Sequence, residues 1–186
     1  MTRAERTLVL AHRVATHLAN RAFPCCVIGA AALAVHAYAR ATHDLDLATL
    51  VRTDRELDDL AEALRASGLD VHVAHADAGD ALGGVISIDE EGSNPVQVVN
   101  FFNPWNGWVP AGKAALDHAL PSALGDLAVA DVPHLVALKL YAGGRKSQLD
   151  VLELLARQPP QATAEAQAVC DALGLGEALR AALEGR

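Results

Sequence analysis

The chain opens with Thr2-x-x-Glu5, a helix start in which the cap and the third helical residue satisfy each other's backbone N–H groups. Apolar residues then recur at helical spacing at Leu8, Ala11, Val14, Ala15 and Leu18, predicting a first helix that stops before Phe23-Pro24. Cys25 to Ile28 is an apolar run of strand length. Gly29 follows, and the small residues Ala30 to Ala39 predict a second helix. Beyond a turn over Arg40 to His43, Asp44-Leu45-Asp46-Leu47-Ala48 alternates polar with apolar, as a half-buried strand does. Thr53-x-x-Glu56 is a second capping box, opening a helix that runs to Ser67 and ends at Gly68. Val71 to Val73 predicts a strand. Val85 to Ile88 and Val96 to Phe102 predict a hairpin joined by the turn-rich Glu90 to Pro95.

A loop rich in Pro, Trp and Gly, Asn103 to Gly112, separates this α/β half from a mainly helical remainder. Asp131 and Pro133 mark a helix start, and Gly143-Gly144 its end. Ser147-x-x-Asp150 predicts a further capped start, for a helix through Leu155, and two more helices split near Gly174. No repeat, charge block or linker divides the chain. The expected organisation is one domain over 1–186, α/β over 1–110 and mainly helical over 111–186.

Length and composition bound the function. The 186 residues, 52% apolar and 20% charged, suffice for a sizeable core. The three cysteines, Cys25, Cys26 and Cys170, fit neither a disulfide framework nor a zinc spacing and point to a reducing compartment. The charged N-terminus is unlike a signal peptide, and no apolar stretch is long enough to span a bilayer, so a cytoplasmic protein without a membrane partner is expected. A net charge of −8 argues against binding nucleic acid by bulk attraction but leaves room for a local basic site.

The candidate chemistry lies between Val27 and Leu47. Residues two apart on a strand share a face, so Asp44 and Asp46 project together, with Cα atoms about 6–7 Å apart. Two carboxylates that close repel unless a cation sits between them, and hard oxygen ligands suit magnesium or manganese. A bare Asp-x-Asp also fits a solvated strand face. The fuller arrangement, Gly29-Ala30-Ala31, a small-residue helix and then Arg40-x-Thr42-x-Asp44-x-Asp46, resembles the nucleotidyltransferase superfamily, most closely the abortive-infection (AbiEii-type) toxin branch. Val132 to Leu140, with Ala142-Gly143-Gly144-Arg145-Lys146 and Asp150-Val151, resembles that branch's helical segment.

The resemblance implies an α/β (α+β) fold with a mixed sheet flanked by helices. It also implies Mg2+ or Mn2+ on Asp44 and Asp46, and NMP transfer from an NTP to an RNA, a tRNA 3′ end for example, or to a protein hydroxyl. The protein would be the toxin of a pair with a cognate antitoxin. Carried over by position, Gly29, Ala30, Arg40 and Thr42 would meet the nucleotide, and Lys139, Arg145 and Lys146 would neutralise phosphates. The third carboxylate of active members falls at Asn100, a neutral and poor base. That leaves weakened catalysis, one metal in place of two, or a nucleotide- or protein-binding module without turnover. Asp150 reads as part of a helix cap, Asp89 as a substitute carboxylate, and Lys113 as a further cation for RNA.

Overall fold

Both capping boxes form. In the computed structural model, which describes residues 1–185, Glu5 Oε2 accepts from the Thr2 amide at 2.6 Å, and Thr2 Oγ1 accepts from the Glu5 amide at 3.2 Å. They start α1 (Arg3–Ala19), whose buried stripe includes Leu10, Ala11, Val14 and Leu18. The second box starts α3 (Asp54–Ala66), and Gly68, at φ +84°, turns the chain after it.

Between these helices lie β1 (Cys25–Ile28), α2 (Gly29–Val35) and β2 (Leu45–Thr49). After α3 come β3 (Asp70–Ala74), β4 (Val85–Asp89) and β5 (Val96–Asn100). These strands form one mixed sheet in the order β1-β2-β5-β4-β3. β2 and β5 are parallel, and the other neighbours are antiparallel. The predicted hairpin is therefore present, and β2 lies beside its second strand. The free edge of β1 is covered, because the Val27 amide donates to Ala128 and the Ala130 amide donates back to Val27.

Four expectations are corrected. α2 stops at Val35, not Ala39: the His36 ring bonds to the Ala130 carbonyl at 2.8 Å, Gln158 donates to the His36 carbonyl, and Ala37 takes φ +66°. Phe102 leaves β5 and joins β6 (Phe102–Asn103), which pairs with β7 (Gly107–Trp108). α4 (Pro110–Asp117) begins inside the expected loop, with Pro in its first turn. After α5 (Val132–Ala142), capped by Asp131, Gly143 at φ +67° breaks the chain; α6 (Gly144–Leu155) restarts at once and leaves Ser147 inside the helix. α7 (Gln161–Ala172) and α8 (Gly176–Glu184) complete the helical part.

The two sheet faces are dressed differently. α1 packs beside α3, and both contact the sheet. On the other face, the Cys26 thiol reaches the Ala115 carbonyl on α4, and Gly112 lies flat against Phe101. α5 stands beside α4 and is packed in turn by α6 and α7. Among the described residues no helix is long and apolar enough to cross a membrane.

Candidate functional site

The β1–β2 register sets Ile28 opposite Asp46, so the last residue of β1 delivers Gly29 to the Asp46 carboxylate. Gly29 sits at φ +65°, and a Cβ built on it would lie 1.9 Å from Asp46 Oδ2. Only glycine fits there, for the backbone angle and for the missing side chain alike. Asp44 stands just before β2, and the Thr42 hydroxyl donates to its Oδ1 at 2.6 Å.

Asp46 is half-buried and lines a cleft of about 250 Å³ walled by Leu82, Val99, Phe101, Leu138, Tyr141 and others. Gly29 and Lys139 also line it. Burial and then the charge of Asp44 push the Asp46 carboxyl up to about 6, against the pull of Lys139 and Arg40. An ionised Asp46 is thus uncomfortable without a further cation.

Arg40 and Lys139 converge on one acid, Asp150, which is 2% exposed on α6. Lys139 Nζ lies 2.9 Å from Oδ2, and an Arg40 terminal nitrogen donates to the same oxygen at 3.1 Å. Arg40 Nε is 2.9 Å from Oδ1 but is not aligned as a hydrogen bond, so that contact is charge proximity. The Tyr38 hydroxyl donates to Oδ1 at 3.4 Å. Asp150 is therefore the hub that holds both cations beside Asp46, and the expectation that it caps a helix is corrected. The sequence signal was a carboxylate on the same helical stripe as Val151, Leu154 and Leu155.

Asn100 is not brought to the pair. Register places Asp46 opposite Gln97, so Gln97 and Val99 share the Asp46 face and Asn100 points to the other. Its side chain is buried and fully engaged: Oδ1 accepts from the amides of Val51 and Phe102, and Nδ2 donates to the carbonyls of Val51, Gly83 and Phe102. Asn100 stitches loops together, which corrects its place in the catalytic set. Asp89 is exposed at the end of β4, opposite Asp70. Ala30 is 4% exposed and packs inward. Arg145 and Lys146 are exposed at the start of α6 and do not line the cleft; Lys146 lies one turn before Asp150, on the same helix face. Lys113 is paired with Asp117. His75 pairs with Asp54 and Asp58, and no group of three metal-ligating side chains occurs among the described residues.

Comparison with known proteins bears on what this geometry belongs to. No family model matches the chain, and no curated protein does. Solved structures do. The antibiotic-resistance factor ANT(2'')-Ia matches in solution with a TM-score of 0.50 at 16% identity, over 98% of this chain and 93% of that one. Its crystal structure with adenylyl-2''-tobramycin matches at 0.52 and 16%, over 96% and 97%. A nucleotidyltransferase-like antigenic protein from Paracoccidioides brasiliensis matches at 0.50 and 16%, over 95% and 91%. The chain has the nucleotidyltransferase fold. On this fold Gly29, Asp46 and Lys139 line one cleft, and the charges of Asp44 and Arg40 act on Asp46.

Proposed function

We propose that this chain transfers an NMP unit from an NTP to a hydroxyl acceptor, using a divalent cation, Mg2+ or Mn2+, held by Asp44 and Asp46. The observation that carries the reading is the Asp46 carboxylate, wedged against the bare Cα of Gly29, repelled by the charge of Asp44 and lining a cleft. The residues fit a cation. Two carboxylates with substrate phosphates make a usual magnesium site, and the site's three carboxylates outnumber the cations Arg40 and Lys139.

When bound, the ion supplies charge neutralisation at the reacting phosphate. The protein supplies the rest. Gly29 lets phosphate oxygens approach the main chain, Thr42 orients Asp44, and Lys139, steadied by Asp150, sets a positive charge at the cleft. The acceptor oxygen bonds to the α-phosphorus as the bond to the pyrophosphate oxygen breaks, pyrophosphate leaves, and the hydroxyl proton passes to solvent. Positioning and charge carry most of the rate.

For the acceptor we keep RNA, a tRNA 3′ end among the candidates, with a toxin role and an antitoxin partner; sequence resemblance alone supports these. A second reading, a nucleotide-binding module without turnover, is favoured by one observation: the β5 residues beside Asp46 are Gln97 and Val99, so the neighbouring strand brings no third carboxylate to the pair. Incubation with α-labelled NTPs, magnesium and total RNA separates the two. Label in RNA that is lost in Asp44→Ala supports transfer, and metal-dependent NTP binding without any transfer supports the module.

A further inference from the structure

Several of the chain's cations are paired with acids: Lys139 and Arg40 face Asp150, Lys113 faces Asp117, and Arg13 faces Glu90. At the far end of β2 two are not. A groove of about 310 Å³ is lined by Arg21, Phe23, Pro24, Leu50, Arg52 and Trp108, among others. Arg21, half-buried, donates only to the His17 carbonyl, at 3.3 Å. Arg52 is exposed, and its guanidinium lies 5.3 Å from the centroid of the Trp108 ring. Neither has a carboxylate partner among the described residues. The one acid in the lining, Glu56, is engaged with the Thr53 amide and hydroxyl in the α3 capping box.

The aromatic side of the groove is fixed. Phe102 meets Trp108 edge-on at 4.5 Å, while Trp108 remains 38% exposed. The planar Arg52 fork over the indole extends this surface and offers a second plane for a flat ring. A second sign of local positive potential comes from His17, one turn before Arg21: burial first, and then Arg21 and Arg13, hold its pKa below the usual histidine value. Unpaired guanidinium forks beside a fixed aromatic surface suit a unit that brings a phosphate and a base together.

We propose that the Arg21–Arg52–Trp108 groove binds one or two nucleotides of a single-stranded RNA, phosphate on the arginines and base against the Arg52–Trp108 layer. Leu50 in the groove directly follows β2 and is four residues from Asp46, about 13 Å of extended chain, so an RNA whose end enters the cleft has only a short path to it. The inference rests on the nucleotidyl-transfer reading only in taking the RNA to be the acceptor. The groove is separate from the cleft.

The test uses the full chain and a single-stranded oligoadenylate RNA of about ten nucleotides. The chain has two tryptophans, so Trp105→Phe leaves Trp108 as the reporter. We expect RNA to quench that emission. Arg52→Gln, read by the same quenching, and Trp108→Ala, read by the anisotropy of a fluorescein-labelled copy of the RNA, should each weaken binding about tenfold, the lower part of the range for one lost stacked base. Arg21→Gln with Arg52→Gln should flatten the dependence of log affinity on log salt by about 1.4, for two lost phosphate contacts. Arg52 is exposed, so its variant folds, and circular dichroism checks this. Unchanged RNA affinity in Arg52→Gln, or equal quenching and affinity for a polyglutamate peptide of similar length, overturns the proposal. NTP binding measured in the same samples reports on the cleft, so a failed groove with intact NTP binding leaves the transfer reading standing.

Discussion

Asp46→Asn tests the electrostatics of the site in isolation. Raising a carboxyl from 3.8 to about 6 corresponds to about 3 kcal/mol of folded-state penalty once the group is ionised. Asp46 is half-buried, so solvent screening trims this to about 2 kcal/mol. The sign follows from which state ionises first. Below pH 3.8 the group is neutral folded and unfolded, and nothing is lost. As pH rises from there to about 6 the unfolded chain ionises while the folded one resists, so stability falls, and the full loss persists at higher pH. Asparagine keeps the shape and removes the charge. Without added metal, Asp46→Asn should therefore melt about 4–8 °C above the wild type at about pH 8, and together with it at about pH 4. Magnesium should raise the wild-type melting temperature at about pH 8, because a cation relieves the same repulsion, and leave Asp46→Asn nearly unmoved. Differential scanning calorimetry of both proteins at the two pH values, and with magnesium at about pH 8, reads these melting temperatures. Coincident melting at pH 8, or an equal magnesium shift in both proteins, would refute the reasoning.

Four further outcomes follow from the geometry. Gly29→Ala drives a methyl into Asp46 Oδ2 and strains a positive φ; it should cost about 1–3 kcal/mol by urea melt and weaken metal-dependent NTP binding at least about tenfold. Asn100→Ala strands two buried amides and three carbonyls, so it should cost about 2–4 kcal/mol while leaving the magnesium-induced shift in place; loss of that shift in a folded variant would return Asn100 to the site. Asp150→Ala leaves Arg40 and Lys139 unpaired and should cost about 3–5 kcal/mol by the same melt, with NTP affinity falling as well; an unperturbed variant would show that the hub holds nothing. Gln97→Glu adds a carboxylate on the Asp46 face and should tighten magnesium binding by calorimetry about fivefold or more, where an unchanged affinity would place Gln97 out of reach of the ion.

Much of the frame was legible because it rests on local rules. Both capping boxes, the Cys25–Ile28 strand, the hairpin and the Asp131 cap appear where spacing and turn chemistry put them. The site was harder for two physical reasons. Face assignment on β5 depends on its register against β2, which no single-strand pattern contains; the pairing of Asp46 with Gln97 turns Asn100 to the far side. The role of Asp150 depends on Arg40, which is 110 residues away in sequence, so Ser147-x-x-Asp150 mimics a cap that Gly143 and Gly144 make unnecessary. The Arg21–Arg52–Trp108 groove was equally out of reach, since it joins the end of α1, the end of β2 and β7.

The most direct test of the central claim is equilibrium binding of a non-hydrolysable NTP analogue, measured by calorimetry with and without magnesium, in the wild type and in Asp44→Asn/Asp46→Asn. We predict saturable binding that requires magnesium in the wild type and is lost in the double variant, which keeps its fold by circular dichroism. Magnesium-independent binding of equal affinity in both proteins would contradict a cation shared by Asp44 and Asp46.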